Sequence, residues 1–190
     1  MIAAAPDEHR PVNLVKHIAE HFRAADAIVH VNTHRTHPHA ARVMNEIMAD
    51  PYSSDELKAE ARYNRAKAYI ALAQPTEATT DLKILSAEPR TEHGAESKYL
   101  LADLYFSQGK LAETETEVLD FAKKNAPHQF WLARSFVLLA DVYIKQANDF
   151  QAKQYLLSLQ KNYTVADEIQ TLITDRLDAI SQREKKNIIN

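Results

Sequence analysis

The chain has no cysteine among its 190 residues. It therefore forms no disulfide and offers no thiolate to a metal or to covalent catalysis. It has only two glycines, Gly94 and Gly109, and seven prolines. An all-β protein needs special backbone angles at many hairpins, so this poverty argues against one. Two isolated glycines also make no phosphate-cradling loop. No stretch approaches the eighteen uninterrupted apolar residues of a membrane-spanning helix, so no membrane insertion is expected. An excess of positive charge is missing too. The net charge of -3 gives no electrostatic case for nucleic acid or an anionic membrane surface. The start, Met1-Ile2-Ala3-Ala4-Ala5-Pro6, lacks a basic segment followed by a long apolar core. A chain complete as written is expected in the cytoplasm, and a fragment of an exported envelope protein in the periplasm.

What the sequence does contain is self-similarity. Arg65-Ala66-Lys67-Ala68-Tyr69, Leu101-Ala102-Asp103-Leu104-Tyr105 and Leu139-Ala140-Asp141-Val142-Tyr143 overlay. Their small residues Ala66, Ala102 and Ala140 lie 36 and then 38 positions apart, each followed three places later by tyrosine. Twelve residues after each stands Ala78, Thr114 or Ala152, and four further on Leu82, Val118 or Leu156. A period in this range signals stacked helical hairpins. The abundance of alanine, leucine, lysine, glutamate and glutamine suits it.

The first hairpin is expected to turn at Gln74-Pro75, where proline cannot donate to the helical ladder, and to exit at Pro89. The second turns at Gly109, a position wanting a left-handed residue. The third begins after Pro127 and holds the most apolar helix, from Phe130 to Ile144, expected inside the stack. Its turn is Asn148-Asp149, with Asp149 as helix cap. A last helix, about Val165 to Arg183, aligns Ile169, Leu172, Ile173, Leu177 and Ile180 along one stripe and suits a cap. Upstream, Pro11 to Val31 and Ala40 to Ala49 read as a degenerate leading pair. The expected organisation is a histidine-rich segment over 1–57, three repeats over 58–164 (58–91, 92–127 and 128–164), and a capping helix with basic tail over 165–190.

In these landmarks the chain resembles the tetratricopeptide repeat (TPR) proteins. Repeat one supplies Ala66, Tyr69, Ala78, Leu82, Leu85 and Pro89; repeat two supplies Leu101, Ala102, Tyr105, Gly109, Val118 and Phe121. Repeat three supplies Phe136, Leu139, Ala140, Tyr143, Ala152, Leu156 and Leu159. Ala73 and Ala147 replace the family's turn glycine, Thr114 replaces a small alanine, and the spacings exceed the usual period of about 34. The resemblance implies an all-α right-handed superhelix of antiparallel hairpins. The segment from Phe130 to Asp141, with Asp149 to Leu156, also resembles the C-terminal part of Bacteroidetes envelope TPR proteins of the YbgF/BamD type. That implies scaffolding at a cell envelope.

Chemistry-bearing residues are sparse. His17-Ile18-Ala19-Glu20-His21 fits the inverted zinc-protease signature, with His17 and His21 as ligands and Glu20 as base. That motif needs a third ligand and a sheet around it, and no strand is expected, so packing or solvent-facing histidines are the preferred reading. His30, His34, His37 and His39 form a second group. Imidazoles suit zinc, nickel or copper, but Pro38 is expected to end regular structure there, which favours a polar turn between helices. Asn162-Tyr163-Thr164 is a glycosylation sequon read simply as a helix end. No cofactor and no catalytic set is expected.

The better candidate is the wall that the resemblance assigns to the first helices of the hairpins. Repeat position puts Tyr63, Lys67 and Ile70, then Tyr99, Asp103 and Phe106, then Val137, Asp141 and Lys145 on that concave side. Aromatics with a few charges suit a peptide or helix of another protein. Asp103 and Asp141 disfavour a free carboxylate ligand. Self-association as a structural subunit is the alternative, and zinc-dependent hydrolysis through His17, Glu20 and His21 a remote one.

Overall fold

A computed structural model describes residues 33–189, with side chains from 37 to 186. Every element among them is an α-helix. The chain divides into two compact units, residues 1–78 and 79–190.

In the first unit, α1 (Thr33–Ala49) and α2 (Asp55–Ala71) form an antiparallel pair. Its core is Met44, Ile47 and Ala61, flanked by Val43, Met48 and Leu57. The Asp50 carboxylate holds the turn, accepting from Tyr52 N at 3.0 Å and Ser53 Oγ at 3.3 Å. Ser54 caps α2, its hydroxyl accepting from Leu57 N at 3.2 Å. One expectation is corrected here. Pro38 lies inside α1, so His34, His37 and His39 sit on a helix and not in a turn. Proline removes the ladder bond that residue 38 would make to the carbonyl of residue 34, and the helix tolerates that single loss in its second turn.

Helix α3 (Pro75–Leu85) follows, with proline as its first residue, where the missing N–H costs nothing. Ala78 and Leu82 are fully buried, as their place in the repeat predicts.

The second unit holds α4 (Glu92–Ser107), α5 (Leu111–Lys123), α6 (Gln129–Lys145), α7 (Asp149–Asn162) and α8 (Glu168–Ile189). Helix α6 packs on α4, α5, α7 and α8, the interior position its all-round apolarity requires. Leu139 and Val142 are wholly buried, and Leu139 meets Ala102 and Val118 across the repeat boundary. Ile169, Ile173 and Ile180 of α8 close the stack over Ala133, Val137, Ala140 and Leu156. Helix α8 begins and ends later than the expected Val165 to Arg183. Asp167 sets the start, accepting from Ile169 N at 2.9 Å and from Tyr163 Oη at 2.5 Å.

The turns repeat as faithfully as the helices. Ala73, Gly109 and Ala147 all adopt left-handed backbone, with φ of 54°, 74° and 58°. In each, the next residue donates to the repeat tyrosine's carbonyl: Gln74 to Tyr69, Lys110 to Tyr105 and Asn148 to Tyr143, all at 2.9 Å. This six-to-one bond is the helix-ending Schellman arrangement. The landmark tyrosine is therefore always four residues before the left-handed position. The cap of α7 is Asn148, whose Oδ1 accepts from Gln151 N at 3.1 Å, and not Asp149 as expected. Asp149 is instead the first helical residue, and Arg183 holds its carboxylate.

Two polar substitutions in the core are fully compensated. Thr114, at the small-residue position of α5, donates to Lys110 O at 2.9 Å and lies 3.3 Å from Ala102 O. Buried Lys98 bonds Glu117 at 2.5 Å and Asp120 at 2.7 Å, tying α4 to α5. Burial works to lower its pKa, but the two carboxylates outweigh that and hold it above its usual value.

Candidate functional site

Helix α4 sets Tyr99, Asp103 and Phe106 at i, i+4 and i+7, so one face carries all three. Helix α6, packed beside it, brings Phe130, Arg134, Asp141 and Lys145 to the same wall. The Tyr99 ring stacks on Trp131 with centroids 5.7 Å apart. The Arg134 guanidinium lies 5.1 Å from the Tyr99 centroid and forms an ion pair with Glu168 of α8. Lys145 Nζ stands 4.1 Å over the Phe106 ring. Such cation–ring contacts hold both partners in place without consuming the ring's outer edge.

The two acids of this wall have different surroundings. Asp141 is clasped by Arg176 of α8, with Nε to Oδ1 at 2.8 Å and Nη2 to Oδ2 at 2.7 Å. Asp103 is half-buried, and among the described residues it makes no hydrogen bond and no ion pair. Burial raises the pKa of Asp103; the Arg134 charge opposes that and the Asp141 charge adds to it. Burial likewise raises the pKa of the Tyr99 phenol, and the adjacent Arg134 guanidinium opposes it.

Of the nine residues that repeat position assigns to the wall, Tyr99, Asp103, Phe106 and Lys145 stand together with partly or fully exposed side chains. Asp141 joins them but is occupied by Arg176, and Val137 is only 3% exposed, packed in the cluster of Ile169 and Ile173. Tyr63, Lys67 and Ile70 share the same i, i+4, i+7 spacing on α2 in the first unit. There Tyr63 is 7% exposed, and Lys67 Nζ donates to its hydroxyl at 3.1 Å. Repeat position missed Phe130 and, more consequentially, Arg134. It precedes the position equivalent to Tyr63 and Tyr99 by three, and only its contact with Tyr99 reveals it.

Elsewhere in the second unit, a cavity of about 350 Å³ opens between α6 and α7, lined by Leu132, Phe136, Tyr155, Leu159 and Tyr163. Tyr155 stacks on Tyr143, centroids 5.5 Å apart, and the Tyr143 hydroxyl donates to Glu115 at 2.6 Å. Burial and that bond push the Tyr143 phenol well above its ordinary range.

The histidine candidates divide. His17, Glu20, His21 and His30 lie outside the described residues, as does the side chain of His34. His39 Nδ1 lies 3.3 Å from Arg42 Nη2. Among the described residues, no group of three or more histidine, aspartate or glutamate side chains is placed to hold a metal.

No protein-family model and no curated protein sequence matches the chain. Two crystal structures do match in shape. Both are of a Podosopora anserina protein assigned as a kinesin light chain with nearly identical TPR-like repeats, one of them a glutamine-to-methionine variant. The variant aligns with TM-score 0.67 and 16% identity over 95% of this chain and 90% of that one. The other aligns with TM-score 0.66 and 16% identity over 94% and 90%. The chain thus has the TPR-like helical-repeat fold.

Proposed function

We propose that the chain is a non-catalytic interaction module that holds a peptide or helix of another protein against the wall of α4 and α6. The observation that carries this reading is the set of three partly exposed residues, Tyr99, Asp103 and Phe106, with exposed Lys145 beside them, fixed in place over a closed core. A wall ordered before binding keeps the entropic cost of association low on this side. The aromatic rings supply contact area, and the charges set register. The TPR-like fold of the structural neighbours fits such a scaffold. Tyr63, Lys67 and Ile70 are proposed as the corresponding contacts of the first unit. A photo-crosslinking residue at position 106, set against one at exposed position 150, tests the placement. The reading expects covalent capture of a partner from native lysate at 106 and little at 150; capture at 150 alone contradicts it.

Self-association is the second reading, and one observation favours it. Phe150 and Leu157, two turns apart on one face of α7, are 71% and 43% exposed. Light scattering that shows mass growing with concentration, abolished by Phe150→Ser, supports that reading; a constant monomer mass rejects it. The envelope location rests on the resemblance of the 130–156 segment alone. The hydrolase reading rests on His17, Glu20 and His21; stoichiometric zinc in tag-free protein, lost in His17→Ala, is the result that would revive it.

A further inference from the structure

The charges on the α4–α6 wall are not equally spoken for. Arg134 pairs with Glu168, Asp141 with Arg176, and Lys145 rests on the Phe106 ring. The two ion pairs are internally neutral, so neither leaves a net charge for a partner. Asp103 is the acid left without a bonded partner: half-buried, between Tyr99 one turn before it and Phe106 one turn after, it makes no hydrogen bond or ion pair among the described residues, and only the nearby Arg134 charge opposes its burial. A carboxylate partly withdrawn from water with no bonded counter-charge is costly, and a ligand's cation would offset that cost.

We infer that Asp103 is the specificity-determining residue of the wall, and that it receives a lysine or arginine side chain of the bound segment. The inference rests on the reading of this wall as a partner-binding surface and names the chemistry of its occupant. The geometry favours a cation in three ways. The carboxylate offers two acceptor oxygens to an ammonium or a guanidinium fork. Tyr99 and Phe106, one turn to either side, present partly exposed apolar surface that suits the aliphatic stem of such a side chain. The same wall already holds cations against rings, with Arg134 over Tyr99 and Lys145 over Phe106. An acidic partner residue at this point would meet the Asp103 carboxylate. The absence of a paired charge also explains why burial raises the pKa of Asp103 while Asp120 and Asp149, each paired with a cation, are lowered.

The test uses a random twelve-residue peptide library displayed on phage and selected on the full chain. Selected peptides are expected to carry a lysine or arginine whose replacement by glutamine weakens binding at least tenfold. Asp103→Asn, nearly isosteric, should weaken the same peptides by a similar factor, and the two changes together should cost no more than either alone. Peptides that bind Asp103→Asn within twofold of the parent, or that need an acidic residue in place of the basic one, overturn the inference. The Tyr99→Ala, Phe106→Ala double variant separates the two claims. Peptides lost with that variant but indifferent to Asp103→Asn defeat the inference alone. Peptides indifferent to both, or a library that yields no binder, defeat the wall reading beneath it.

Discussion

Arg176 grips Asp141 through two parallel bonds, joining the capping helix α8 to the most buried helix of the second unit. Both side chains are about a quarter exposed, at 25% and 23%, so solvent weakens the pair less than it would at an open surface. Three further ion pairs join α8 to its neighbours: Glu168 with Arg134, Arg183 with Asp149, and Glu184 with Lys153. Asp141 therefore helps to close the stack. Asp141→Ala is expected to lower unfolding free energy by roughly 1–3 kcal/mol, the range for losing charged hydrogen bonds and stranding the partner. Urea denaturation measures it, and an unchanged midpoint would show that the pair carries nothing.

The three left-handed turn residues allow a cleaner comparison. Gly109 bears its φ of 74° without strain, while Ala73 and Ala147 pay for theirs with a Cβ. Ala147→Gly is expected to stabilise by about 0.5–1 kcal/mol, once glycine's greater unfolded entropy is subtracted. Gly109→Ala should destabilise by a similar amount, although no atom lies within 4 Å of the new methyl. Opposite signs in thermal melts of the two variants are the expected result.

The other glycine serves packing. At Gly94, in the first turn of α4, an added Cβ would sit 2.0 Å from Glu88 O and 2.7 Å from Thr91 Oγ1, the hydroxyl that caps the helix. Backbone cannot give way as a flexible side chain does. Gly94→Ala is expected to cost roughly 2 kcal/mol or more, because it loses the cap as well as the close approach. A loss under about 0.5 kcal/mol by denaturation would contradict that geometry.

Acid stability should report on Asp103. Its folded pKa is raised, so the folded state holds its proton to higher pH than the unfolded state does. Ionised Asp103 therefore opposes folding above its folded pKa, and the penalty fades as pH falls through it. Asp120 and Asp149 behave oppositely. Lys98 and Arg183 lower them, so their support is present above the ordinary value of 3.8 and is lost as pH drops through their folded pKa. Asp103→Asn should raise the melting temperature near neutral pH and leave it unchanged in acid. A variant less stable at neutral pH would show that the Arg134 charge outweighs the burial of the carboxylate.

The repeats were legible because small, aromatic and turn positions are local demands. Ala66, Ala102 and Ala140 need close helix contact, and the tyrosine-to-turn interval of four is set by one Schellman bond. Even the departures obeyed it, with Ala73 and Ala147 adopting the glycine backbone. What remained hidden was tertiary. Nothing in the chain pairs Asp141 with Arg176, 35 residues on, or lays Arg134 on Tyr99. The wall could be assigned by repeat position, but which acid on it is already taken could not. The start of α1 was hidden for another reason, since Pro38 reads as a breaker unless its place near a helix start is known.

Isothermal titration of a captured partner against the parent chain and the Tyr99→Ala, Phe106→Ala double variant tests the interaction wall most directly. Aromatic anchors at the centre of an interface typically cost roughly 2 kcal/mol or more each on truncation. The account predicts at least a hundredfold loss of affinity, with circular dichroism showing the variant still folded. A folded variant that binds with parental affinity would contradict it and move the binding surface away from α4 and α6.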